Sequence, residues 1–338
     1  MTNCVESHTP IAASRMVREG TAVKFCLPAG TYGDKPIETE SVIIPMRNFH
    51  GDQWFTLCVS SQVGCRMGCT FCQTGMMGLL ANLSAQQILQ QIRTARELLR
   101  ADAPDSAASA NIRNVVFMGM GEPLDNFDAV MDAIGTMAAP GEFNIPLSHI
   151  TVSTVGRVDG IRKLAAGNWP SLRLAVSLTA ATDELRSRLM PINRAVPLKE
   201  LRQALLEYPR TRRTRFLIEY VMLKDINDSA ADAEALARWC RDLPVTVNLI
   251  PYNPQNPARF EPSDAETIVA FLRHLRALGI LAKRRVTVGR PLMAACGQLG
   301  NPDLRRGVQR HVQLQRRTGS REPGYNRDNA QRTTSNEA

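Results

Sequence analysis

The chain has 338 residues, 44% of them hydrophobic and 22% charged, which suits one large α/β domain or two ordinary ones. No apolar run approaches a membrane span, and the start, Met1-Thr-Asn-Cys-Val-Glu-Ser-His8, lacks the basic-then-apolar pattern of a secretory signal, so a cytoplasmic protein with no membrane partner is expected. The net charge of +9 favours an anionic partner such as nucleic acid, but five of those charges lie between Arg305 and Ala338, where eight arginines face three acidic residues and a solvated tail is an equal reading.

Residues 1–50 read as a small β-rich cap, with strands at Thr21–Cys26 and Glu40–Pro45 broken by Pro28-Ala-Gly-Thr-Tyr-Gly33. Residues 51–300 carry a different pattern. Trp54–Ser60 reads as a buried strand that delivers a cysteine-rich loop, and Ser84-Ala-Gln-Gln87 has the form of a capping box. That box opens a helix through Leu99 with Leu83, Ile88, Leu89 and Ile92 on its apolar face. Further strands are expected at Ile112–Met118, His149–Ser153, Arg173–Leu178, Arg215–Val221 and Pro244–Ile250. Helices are expected at Phe127–Met137, Val158–Ala165, Leu198–Glu207 and Ala230–Arg241, then Ser263–Leu278, with a possible strand at Lys283–Val288. This alternation implies a parallel sheet with right-handed crossovers. Six such strands, with no G-x-G-x-x-G opening a helix, fit a partial (β/α)6 TIM-like barrel better than a Rossmann order. From 301 to 338 the periodicity fades into a basic, flexible tail.

Four of the eight cysteines fall in Cys58-Val-Ser-Ser-Gln-Val-Gly-Cys65-Arg-Met-Gly-Cys69-Thr-Phe-Cys72. In a reducing compartment such clustering suggests metal or catalysis. Cys65, Cys69 and Cys72 are spaced C-x3-C-x2-C, unlike zinc ribbons or the bacterial ferredoxin run. Three thiolates leave one position of a [4Fe–4S] cluster open for a small ligand, the spacing used by radical S-adenosylmethionine (SAM) enzymes; a zinc knuckle or core cysteines is the alternative. Met118-Gly-Met-Gly121-Glu122 ends the next strand, where glycines let backbone approach a ligand and Glu122 could accept from an ammonium group. Ser153, Ser177, Thr179 and Asn253, at later strand ends, could bind ribose hydroxyls and a carboxylate, or simply cap. In Ala294-Ala-Cys296-Gly-Gln-Leu299, small residues around one cysteine permit close approach to something bulky. Cys4, Cys26 and Cys240 receive no role.

Several runs together carry a family resemblance: Leu57-Cys58-Val-Ser-Ser-Gln-Val-Gly-Cys65, Cys69-Thr-Phe-Cys72-Gln-Thr-Gly75, Met118-Gly-Met-Gly-Glu-Pro-Leu124, Leu189-Met-Pro-Ile-Asn193, Val247-Asn-Leu-Ile-Pro-Tyr-Asn-Pro254 and Ala294-Ala-Cys296-Gly-Gln-Leu299. From about Glu40 to Leu299 the chain resembles the RlmN/Cfr family of radical SAM RNA methyltransferases. The resemblance implies that Cys65, Cys69 and Cys72 bind a [4Fe–4S] cluster. It implies that Gly121, Glu122, Ser153, Ser177, Leu178, Thr179 and Asn253 contact SAM. Cys296 would be the methylated cysteine, Cys58 the one that resolves a protein–RNA adduct, and Glu40, in Glu40-Ser-Val-Ile-Ile-Pro45, the base. The ring carbon between two nitrogens of adenine is electrophilic, so direct transfer of an electrophilic methyl would fail. The implied route methylates Cys296, activates its S-methyl group with a 5′-deoxyadenosyl radical, adds the carbon to the ring, and ends in a Cys58–Cys296 disulfide. The implied partners are ribosomal or transfer RNA and an external one-electron donor such as flavodoxin.

The chain departs from the family in three places. About 64 residues precede Cys65, too few for the family's helical N-terminal domain plus the cap, so the RNA grip is expected elsewhere, the basic tail being one candidate. Thr179 stands where the family has histidine, and Val288-Gly-Arg290-Pro-Leu-Met293 replaces an acidic lead into the methylatable cysteine. The alternatives are a non-RNA substrate with the same chemistry, or a non-catalytic zinc-stabilised RNA-binding protein.

Overall fold

The computed structural model describes residues 9–48, 50–102, 111–167, 169, 171–209, 215–255, 258–285 and 293–300. The basic tail, Cys4 and the Val288–Arg290 substitutions therefore lie outside the described residues. The chain begins with three antiparallel strands, β1 (Arg15–Glu19), β2 (Ala22–Tyr32) and β3 (Lys35–Arg47). β3 pairs antiparallel with β4 (Gln53–Cys58), which joins these strands to the main sheet. The expected break at Pro28–Gly33 does not end β2. Its register against β3 shifts between Pro28 and Thr31, a bulge that accommodates a residue with no N–H to donate.

After β4 the cysteine loop folds as a hairpin of β5 (Gln62–Cys65) and β6 (Gly78–Asn82), with the short helix α1 (Gln73–Met77) between them. Helix α2 (Ala85–Asp102) is opened by the expected capping box: the Ser84 amide donates to Gln87 Oε1 at 2.9 Å and the Gln87 amide to Ser84 Oγ at 3.2 Å. Its Ile88, Leu89 and Ile92 are buried, as the periodicity predicts.

Alternating units follow: β7 (Ile112–Phe117), α3 (Phe127–Ala138), β8 (Ile150–Thr154), α4 (Val158–Ala166), β9 (Arg173–Ser177), α5 (Asp183–Leu189), α6 (Leu198–Glu207), β10 (Phe216–Met222), α7 (Ala230–Cys240), β11 (Val245–Pro251), α8 (Ala265–Ala277) and β12 (Ala282–Arg284). From β4 through β12 each strand pairs in parallel with the next, in the order β4-β7-β8-β9-β10-β11-β12. This is the partial (β/α) barrel expected, with the short β12 following the six long strands. Val115, Val152, Val176, Ile218 and Val247 are wholly or nearly wholly buried, as strands covered on both faces require.

Helix α5 escapes the hydrophobic pattern, yet it fixes the active end of the sheet. Its Arg186 is 1% exposed. The guanidinium donates to the carbonyls of Val155 (2.6 Å), Ser177 (3.2 Å) and Leu178 (3.2 Å), just past β8 and at the end of β9, and to Asn193 Oδ1 (2.9 Å). Asn193 in turn donates to Asp183 Oδ1 at 2.8 Å, closing the Leu189–Asn193 motif onto the start of its own helix. The Thr70 amide donates to the Leu189 carbonyl at 2.9 Å, so the cysteine loop hangs on the same helix. Replacing Arg186 with Met should cost about 3 kcal/mol or more, because it leaves three strand-end carbonyls and Asn193 without their buried donor. Denaturant unfolding checks this, and a loss below about 1 kcal/mol would contradict the role.

Candidate active site

The cysteine loop is built by glycines that nothing larger can replace. Gly64 has φ +76, and a Cβ there would lie 1.9 Å from the Gly78 carbonyl oxygen, so β5 and β6 close only with glycine at this point. Gly75 packs likewise, its hypothetical Cβ 3.0 Å from the Cys69 nitrogen. The turn brings the Cys72 amide to the Cys69 carbonyl at 3.1 Å, and Cys72 leads into α1. Burial pushes the thiols of Cys65, Cys69 and Cys72 upward, and neighbouring cysteines push all three further. Three thiolates crowded together out of water require compensating positive charge. Among the described residues no three His, Cys, Asp or Glu side chains are arranged to hold a single metal ion. The three thiols line one cavity, and three cysteine sulfurs on one open wall would suit a cluster that keeps one iron position free for a ligand.

The glycines after β7 line the cavity and also serve a packing purpose. A Cβ on Gly119 would lie 2.7 Å from both Ser60 Oγ and the Val59 carbonyl, and one on Gly121 would lie 2.6 Å from Gln62 Cβ. These glycines let the motif press against the link between β4 and β5. Ser60 holds that contact: its hydroxyl donates to the Glu40 carbonyl at 2.6 Å and accepts from the Met120 amide at 2.8 Å. Glu122 is 1% exposed, and burial pushes its carboxyl up to about 7. The carboxylate accepts from the amides of Leu124 (3.1 Å) and Val155 (2.9 Å) and from the Thr154 side chain, which leaves part of its acceptor capacity for a ligand's ammonium.

The strand ends of the barrel meet at this cavity, whose empty space, open solvent included, is about 1040 Å³. Cys65, Cys69 and Cys72 share its wall with Gly121 and Glu122. Ser153, Ser177, Thr179, Asn253 and Cys296 complete the set of predicted residues that reach it. Thr179 adopts φ +60, unusual for a β-branched residue, and its buried hydroxyl finds no hydrogen-bond partner among the described residues. Asn253 Nδ2 donates to the Cys296 carbonyl at 3.2 Å, so this residue seats the cysteine as well as facing the cavity. Leu178, Cys58 and Glu40 are buried and do not line the cavity.

Cys58 and Cys296 are free thiols. Burial pushes Cys58 up to about 12, with Cys296 adding to the rise and Arg285 opposing it. Arg285, just beyond β12, is pushed up first by Cys296 and then by Glu219 and Cys58, and it lines the same cavity as Cys296. Its Nη1 lies 3.8 Å from Glu219 Oε2 and 3.5 Å from Met118 Sδ. Glu219 is 4% exposed, and Asn248 Nδ2 donates to its Oε1 at 2.7 Å. Sequence reading passed over Arg285 and Glu219. The signal was a lone carboxylate inside the apolar run Phe216-Leu-Ile-Glu-Tyr-Val-Met222.

The family model of the Radical SAM superfamily matches residues 59–240. The chain is 42% identical over 293 residues to a dual-specificity RNA methyltransferase RlmN from Rhodopseudomonas palustris, covering 86% of this chain and 72% of that protein. It is 44% identical over 283 residues to the protein of the same name from Azorhizobium caulinodans, covering 81% and 68%. The crystal structure of a radical SAM methyltransferase from Sphaerobacter thermophilus aligns with a TM-score of 0.75 at 39% identity, over 86% of this chain and 81% of that one. These matches overturn the reading of a non-catalytic zinc protein. The chain belongs to the radical SAM superfamily and, within it, to the family of the RlmN dual-specificity RNA methyltransferases.

Proposed function

We propose that this protein methylates a ring carbon of adenine in ribosomal or transfer RNA, with Cys296 as the methyl carrier. The observation that supports this most directly is that Cys296 opens onto the same cavity as the three loop thiols, with Arg285 on its wall. Cys65, Cys69 and Cys72 would hold a [4Fe–4S] cluster. Glu122 would take the ammonium of SAM, and Ser153, Ser177 and Thr179 its ribose and carboxylate. The cluster and SAM together supply the methyl group and the one-electron chemistry that activates it.

The residues of the chain do the rest. Cys296 accepts a methyl group on its sulfur by displacement, giving up the thiol proton, and carries it as a thioether. Once that carbon is bonded to the base, Glu40 removes the ring proton. The Cys58 thiolate then attacks the Cys296 sulfur: an S–S bond forms, the S–C bond breaks, and its electron pair leaves with the carbon, which takes a proton to become the product methyl. The target adenine must be unpaired or flipped to enter such a cavity. We place the protein in the cytoplasm, where thiols stay reduced, with a flavodoxin-like donor supplying single electrons.

Anaerobic purification should yield about four iron and four sulfide per chain, lost in Cys69→Ser; zinc in their place would refute the cluster. Cys58→Ala should trap RNA covalently through Cys296, visible as a nuclease-sensitive band shift that Cys296→Ala abolishes, and failure to trap any RNA would count against the substrate class. Because Glu122 is neutral below about pH 7, SAM affinity should weaken as pH is lowered from about 8 to about 6. Glu122→Gln should bind weakly at both values, and a Glu122→Gln variant with wild-type affinity would remove Glu122 from the site.

A further inference from the structure

Lys24, on β2, lies in a position that neither the family resemblance nor the proposed mechanism uses. It is 9% exposed. Its ammonium sits 2.8 Å from Glu40 Oε2 on the neighbouring strand β3, and it donates to the Met293 carbonyl at 2.9 Å. The same Glu40 oxygen accepts from the Gly300 amide at 3.1 Å. One buried ion pair therefore clasps both ends of the eight-residue stretch 293–300, at whose middle Cys296 lies. Between those ends the stretch rests on α1 and the turn after β11. The Gln73 amide donates to the Gly297 carbonyl at 2.8 Å, Thr74 Oγ1 to the Leu299 carbonyl at 2.6 Å, and Gln298 Nε2 to the Pro254 carbonyl at 2.8 Å.

This arrangement bears on the chemistry because Glu40 and Cys296 must act on one base. The methyl carried by Cys296 has to bond to the ring carbon, and Glu40 has to reach the proton on that same carbon. In the structure Glu40 is 5% exposed, does not line the cavity, and has one carboxylate oxygen committed to Lys24 and Gly300. The ties along the middle of the stretch are hydrogen bonds, neutral on both sides. The ends are held by a charge pair, which is the stronger kind of tie and the one that fails as a unit when one partner is lost.

We propose that Lys24 is a positioning residue: its ion pair with Glu40 is a two-ended latch that holds the methyl-carrier stretch seated and sets the base and the carrier in fixed relation, releasing both together when substrate engages. The latch stands on the distances above, and its catalytic meaning rests on the reading of Glu40 as the base.

The test uses the full chain, purified anaerobically, with Lys24→Met, Lys24→Gln and Lys24→Arg. Two readouts need no turnover: amide hydrogen exchange across 293–300, and the rate at which iodoacetamide alkylates Cys296, followed by peptide mass spectrometry. In Lys24→Met and Lys24→Gln both should rise about tenfold while exchange in β7 through β11 stays at the parent rate; Lys24→Arg, which keeps the cation, should stay within about twofold of the parent. Should Lys24→Met lose protection throughout the sheet, the milder Lys24→Gln and Lys24→Arg pair decides. Unchanged exchange and alkylation in the folded uncharged variant would overturn the latch, as would Lys24→Arg loosening the stretch as much as Lys24→Gln does. A third readout separates the two claims: with RNA deuterated at the target carbon, Lys24→Gln should show a larger isotope effect than the parent. A loosened stretch with an unchanged isotope effect supports the latch and removes Glu40 from proton removal.

Discussion

The hydroxyl of Ser60 is the point on which the site depends. It lies two residues past Cys58, donates to the backbone of Glu40 and accepts from the backbone of Met120. The Gln91 side chain, wholly buried on α2, accepts from the Ser60 amide at 2.8 Å, donates to the Ser60 carbonyl at 2.9 Å, and accepts from Ser41 Oγ at 2.6 Å. Four segments are tied at one residue: β4, which ends at Cys58, β3, which carries Glu40, the glycine motif and helix α2. Each bond contributes only about 1 kcal/mol net, but removing Ser60 Oγ or Gln91 would strand buried partners at greater cost. The close approach also accounts for Gly119, where a Cβ would meet Ser60 Oγ at 2.7 Å.

Around that knot burial pushes the thiols of Cys58, Cys65, Cys69 and Cys72 up alike, and a guanidinium opposes the rise at Cys58 (Arg285) and at Cys69 (Arg186). In the loop, Cys72 and Cys65 raise the cost of ionising Cys69, Cys72 that of Cys65, and Cys296 that of Cys72, so a bound cationic centre would be needed to make three thiolates tolerable there. Cys58 and Cys296 instead share Arg285, itself held by Glu219 from β10. Thr179 keeps a polar atom at the cavity wall with a left-handed backbone, and Asn227 Nδ2 donates to its carbonyl at 2.7 Å.

Much of this was legible in the sequence because it is periodic or local. The six long parallel strands, the helices from α2 to α8 other than α5, and the capping box at Ser84 follow from alternation, amphipathic spacing and side-chain-to-backbone chemistry within a turn. The three-cysteine spacing is equally local. What escaped is what long-range contact decides. Asp183-Glu-Leu-Arg-Ser-Arg-Leu189 reads as a polar surface stretch, yet Arg186 is the buried clasp of two strand ends. The hairpin of β5 and β6 has no short turn to announce it, since α1 intervenes between its strands. Lys24 and Glu40 look like ordinary strand charges until residues 293–300, more than 250 positions later, come to rest between them.

The account stands or falls on Cys296 as the methyl carrier. The most direct measurement is peptide mass spectrometry of the protein isolated from cells with an intact iron–sulfur supply, beside Cys65→Ala isolated in the same way. The account predicts a single added methyl group on the peptide containing Cys296, on sulfur, absent from Cys65→Ala. An unmodified Cys296 in protein that methylates RNA, or a methyl group on a different cysteine, would contradict it.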